Sequence, residues 1–135
     1  MVNFLIGATI LFIAINLVYF FTNKTYRKSY FSTPLFLKLF FVLSMILVGF
    51  AAIYYLLSLE GVILVQSLSS RKPIEPTIIN VLYFSGETLI SVGYGDMLPV
   101  GVTRLFAVIE SMIGLLLPTA YFMKALDLSN RSNQN

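Results

Sequence analysis

Between two long apolar stretches lies the run Thr88-Leu89-Ile90-Ser91-Val92-Gly93-Tyr94-Gly95-Asp96. Glycine alternates here with residues that carry side chains, and glycine enters left-handed backbone conformations without steric cost. Alternating hands turn successive peptide groups the same way, so the carbonyls of Ser91, Val92, Gly93 and Tyr94 can all face one axis, with Gly95 completing the alternation. Rings of such carbonyls replace the water around a dehydrated cation. The chemistry expected of this segment is selective ion coordination by backbone oxygen.

Other chemistries are poorly supplied. The chain has no cysteine and no histidine, which removes disulfides, thiol nucleophiles, imidazole catalysis and zinc sites of the usual kind. Gly93-Tyr94-Gly95-Asp96 also fits the Gly-x-Gly-Asp pattern of intramembrane aspartyl proteases, which need a second aspartate in the membrane. The only other aspartate is Asp127, at the end of the last apolar stretch. No enzyme and no cofactor are therefore expected.

The elements that must position this segment are apolar. Of 135 residues, 58% are hydrophobic and 11% charged, too apolar for one soluble core of this size. Three stretches approach or exceed the roughly 20 residues that cross a bilayer: Val2 to Phe21, Leu35 to Leu59 and Gly101 to Leu126. The first lacks the basic start and small-residue cleavage site of a signal peptide and is taken as a span. Thr77 to Ile90 is too short to cross and fits a re-entrant helix, with Pro76 suited to its first turn. Its negative dipole end would face a cation below the filter.

Charge sets the orientation. Lys24, Arg27 and Lys28 lie between the first two spans, and the positive-inside rule puts that loop in the cytoplasm. The N-terminus is then external and the C-terminus cytoplasmic, in a multi-pass protein of the cell membrane. Basic residues beside spans give the net charge of +3 no nucleic-acid meaning. The few residues after the last span leave no soluble ligand domain in this chain, and the Arg ladder of a voltage sensor is absent.

The nine-residue run resembles the signature of tetrameric potassium channels, Thr-x-x-Thr-Val-Gly-Tyr-Gly-Asp, departing only in Ser91 for threonine. The resemblance extends over Leu82 to Gly114 and implies K+ at Ser91, Val92, Gly93 and Tyr94, in a homotetramer embedded in a lipid bilayer. One loop cannot enclose an ion, which agrees with several copies closing the ring. The implied fold is an all-α membrane protein with three transmembrane helices plus a re-entrant pore helix and filter loop in each subunit.

The expected organisation is an extra transmembrane helix at 1–23, a cytoplasmic basic loop at 24–33 and a pore domain at 34–126. Within the last lie an outer helix 34–59, an external loop 60–76, a pore helix 77–90, a filter 91–95 and an inner helix 100–126. A short cytoplasmic tail covers 127–135.

By the same resemblance, Tyr83, Glu87, Thr88 and Asp96 brace the filter. Tyr83 and Phe84 occupy the places of two tryptophans; Tyr83 keeps a donor that can reach Asp96, while Phe84 offers none to Tyr94. Glu87 either shares a proton with Asp96 or bonds a backbone amide. Gly114 aligns with the hinge glycine of the inner helix, the alternative being a close-packing point. Ser111, Leu115, Pro118 and Phe122 form a helical stripe able to line a cavity and gate it. Glu110 lies on the flank of that stripe and faces either the cavity or the pore helix. In the N-terminal span, Asn16 is expected to bond a neighbouring helix. The competing readings are a weakly selective cation channel and a non-conducting scaffold subunit.

Overall fold

The computed structural model describes residues 2–22, 33–132 and 134. The basic cluster Lys24, Arg27 and Lys28 lies outside the described residues. The elements, in order, are α1 (Val2–Thr22), α2 (Thr33–Ser58), β1 (Leu64–Val65), α3 (Ile78–Leu89), β2 (Leu98–Pro99) and α4 (Thr103–Ser132). Among the described residues, α2 and α4 are each long and apolar enough to cross a membrane.

The short helix α3 packs against both α2 and α4, which also touch each other. Its start is set by Thr77, whose side-chain oxygen accepts the Asn80 amide at 3.2 Å, satisfying one of the donors that every helix N-terminus leaves open. Pro76 therefore stands one residue before the cap rather than in the first turn. The core joins Ala51 and Tyr54 of α2, Val81 and Phe84 of α3, and Ala107 of α4, with Ile63 and Leu64 above them.

A small sheet closes one end of this core. Leu64 pairs with Pro99 and Val65 with Leu98, antiparallel. Val65 also bridges Pro73, and the Ile74 amide donates to Leu64 O at 2.9 Å. The segment 60–76 is thus pinned to the chain that follows Asp96.

Two boundaries differ from the sequence expectation by more than one residue. Helix α4 begins at Thr103 rather than at residue 100, because Gly101 takes a left-handed turn at φ 60°. It runs on to Ser132, past the expected end at 126, with Asp127 and Arg131 paired one turn apart at 3.3 Å. Much of the expected tail is helical. In α1, Asn16 Nδ2 donates to Phe12 O at 2.8 Å, one turn back in its own helix.

Candidate functional site

Helix α3 gives way to the glycine-containing segment through a tight C-terminal turn. The amides of Ile90, Ser91 and Val92 donate back to the carbonyls of Gly86, Thr88 and Glu87 at 3.2, 3.0 and 2.9 Å. Beyond it, φ is positive at Ser91 (56°), Gly93 (57°) and Gly95 (81°), and at neither Val92 nor Tyr94. The backbone therefore alternates in hand at every residue from Ser91 to Gly95. Gly93 and Gly95 adopt this freely, whereas Ser91 carries a Cβ into a region costing roughly 1–2 kcal/mol. Neighbouring contacts must hold it there.

Glu87 supplies one such contact. Its carboxylate, 5% exposed, accepts the Tyr94 amide at 3.3 Å, while its own carbonyl holds Val92. Burial, and then the negative charge of Asp96, push the Glu87 carboxyl above the usual range, against the pull of the Tyr94 amide. Of the two roles open to Glu87, backbone bonding is the one the hydrogen bonds display.

Tyr83 and Tyr94 stack with centroids 6.4 Å apart and planes 12° from parallel. Lost hydration first, and hydrogen bonding to Asp96 second, raise the Tyr83 hydroxyl above its ordinary value. Phe84 points elsewhere: it is 3% exposed and meets the Tyr54 ring edge-on at 5.1 Å. Tyr83 thus stacks on Tyr94 close to Asp96, and Phe84 belongs to the core.

Helix α4 meets the end of α3 at two points. Ser111 Oγ donates to Thr88 O at 3.1 Å, so the Thr88 carbonyl serves both α4 and the turn. A Cβ at Gly114 would fall on the carbonyl oxygen of Leu89 and 2.7 Å from its carbon. Close approach therefore accounts for this glycine. Pro118, inside α4, has no N–H to give the Gly114 carbonyl one turn back, which leaves a bend point between the two.

The expected stripe divides. Ser111 is half-buried and tied to Thr88, and Pro118 is half-buried, while Leu115 and Phe122 are exposed. Thr88, Ser91, Gly93, Gly95, Ser111 and Leu115 help line an open concavity of about 840 Å³.

Glu110 settles on the side away from it. At 0% exposure it lies among the three packed helices. Tyr54 Oη of α2 donates to its Oε2 at 2.6 Å, and Ser85 Oγ of α3 bonds its Oε1. Ser85 Oγ also lies 2.8 Å from Leu47 O of α2. Tyr54 and Ser85 were missed from sequence; a buried carboxyl must find donors, but nothing in local spacing says which.

Residues 41–128 match a family described as "Ion channel". The chain is 42% identical over 74 residues to Protein LctB of Bacillus caldotenax, covering 53% of this chain and 55% of that protein. It is 38% identical over 87 residues to Protein LctB of Geobacillus stearothermophilus, covering 63% of this chain and 65% of that one. The chain thus spans less than two thirds of the length of these relatives. No solved structure matches it.

Proposed function

From the premise that this chain belongs to the ion channel family, we propose that it conducts potassium passively across the cell membrane through a filter formed by Ser91 to Gly95. The observation that carries the reading is the positive φ at Ser91, Gly93 and Gly95, alternating with Val92 and Tyr94. That alternation is what a stack of inward carbonyls requires. Potassium sheds its water at the oxygens of Ser91, Val92, Gly93 and Tyr94 and moves by knock-on between sites.

Four copies close the ring. Val92 and Tyr94 are 45% and 70% exposed in one chain, apolar and aromatic surface that neighbouring subunits would cover. Leu115 and Phe122 then line the cytoplasmic cavity, with the bend at Gly114 and Pro118 above Phe122. Helices α2 and α4 flank the pore, and α1, with 21 residues, is a third span with its start outside.

Purified protein in planar bilayers, with potassium opposite sodium, tests the proposal. A reversal potential set by potassium supports it, and equal permeability replaces it with a weakly selective cation channel. One observation favours that second reading: Phe84, buried against Tyr54, gives Tyr94 no support on its side.

A further inference from the structure

Three short contacts form a chain through Glu110 and Ser85, and each needs one proton. They are Tyr54 Oη to Glu110 Oε2 at 2.6 Å, Ser85 Oγ to Glu110 Oε1, and Ser85 Oγ to Leu47 O at 2.8 Å. All of the contacting atoms are oxygens. The Leu47 carbonyl has no proton to give, and the Tyr54 and Ser85 hydroxyls have one each. Two protons cannot fill three contacts.

We propose that Glu110 supplies the third as an un-ionised carboxylic acid, and so acts as a positioning residue for the pore helix. Its proton goes to Ser85 Oγ, the Ser85 proton to Leu47 O, and the Tyr54 proton to the other carboxyl oxygen. The chain of bonds runs from α2 through α4 and α3 back to α2, and every polar atom in it is satisfied. An ionised Glu110 would leave two oxygens pressed together at either Leu47 or Ser85.

The surroundings agree. Glu110 is fully buried, and among the described residues no cation is paired with it; burying an unpaired carboxylate is costly. The groups that face it are Tyr54 from α2 and Ser85 from α3. Glu87, two residues along α3, turns its carboxylate to the Tyr94 amide instead. Ser85 lies three residues before Thr88, so the clamp fixes the helix from which Ser91 to Gly95 emerge.

For its effect on conduction the inference rests on the potassium channel reading; the proton is tested independently. A protonated carboxyl has one acceptor and one donor, and a glutamine amide reproduces both with one N–H to spare. Glu110→Gln should therefore keep its thermal unfolding midpoint within about 2 °C and its potassium flux within about twofold, while Glu110→Ala loses about 4 °C or more. Infrared spectra of the purified full chain should show an un-ionised carboxyl band that vanishes in Glu110→Gln and persists in Glu87→Gln. A Glu110→Gln protein as impaired as Glu110→Ala, or spectra without that band, overturns the proposal. Should Glu110→Ala fail to fold, the band and the midpoint of Glu110→Gln still decide it. Absence of potassium flux from every protein would overturn the channel reading, and the spectra and unfolding midpoints would still judge the proton.

Discussion

Gly114 lies so close to Leu89 that the α4 backbone rests on the last carbonyl of α3, with no room for a methyl group. The contact joins α4 to the end of the helix that leads into residues 91–95. Gly114→Ala must push these two backbones apart. We expect a loss of about 1–3 kcal/mol or more, measured as a lower unfolding midpoint in detergent. An alanine protein with unchanged stability would show that the two helices do not pack this way.

Gly86 presents the opposite case. It sits mid-helix in α3, and a Cβ there would meet only Leu47 Cδ1, at an ordinary 3.6 Å. Gly86→Ala should stabilise the protein by about 0.5–1 kcal/mol through helix propensity and a less disordered unfolded chain. Thermal unfolding beside the unmodified protein provides the check, and a lower midpoint would contradict the spacing.

Glu87 holds the Tyr94 amide. Glu87→Ala leaves that part-buried donor without its acceptor, at a cost of up to about 1–3 kcal/mol, whereas Glu87→Gln keeps an acceptor. Single-channel records should show reduced open probability in the alanine protein and a smaller change in the glutamine one. Indistinguishable gating in all three would mean that the bond does not support the conducting filter.

Leu98 stands two residues beyond Asp96, in the strand that pairs with Val65. In the family that it resembles, an aromatic ring at this position favours external tetraethylammonium. Leu98→Tyr should strengthen such block by about 0.5–2 kcal/mol, the range of a cation–π contact. Titration of external block reads this directly, and no gain would place residue 98 away from the pore mouth.

The elements were legible where the signal is local. Run length found α2 and α4, and a short apolar stretch behind Pro76 found α3, each with small errors at the ends. Alternating glycines foretold the alternating hand of residues 91 to 95, including the position where Ser91 does without a glycine. What escaped was set by distant partners. Glu110 is satisfied by residues 56 and 25 positions away, and no periodicity connects them. Gly114 looks like any helix glycine until Leu89 is beside it. The strand β1 was within reach, since Val62-Ile63-Leu64-Val65 is a β-branched, apolar run of the kind that forms short strands.

The sheet at the end of the core limits how this sequence can vary. Residues 63 to 66 sit between the chain at 72–74 and the chain at 98–100, bonded on both sides: Val100 N–H to Ile63 O, Ile74 N–H to Leu64 O and Gln66 N–H to Lys72 O, each at 2.9 Å. Lengthening the chain within 63–65 or 73–74 would shift that register and drag on the residues leaving Gly95. The serines of the tip, half-buried Ser67 and exposed Ser69 and Ser70, bond mainly one another. Extra residues between Ser69 and Ser70 would therefore be absorbed at the surface, and that junction is the place to graft an epitope or fluorophore without disturbing the segment below.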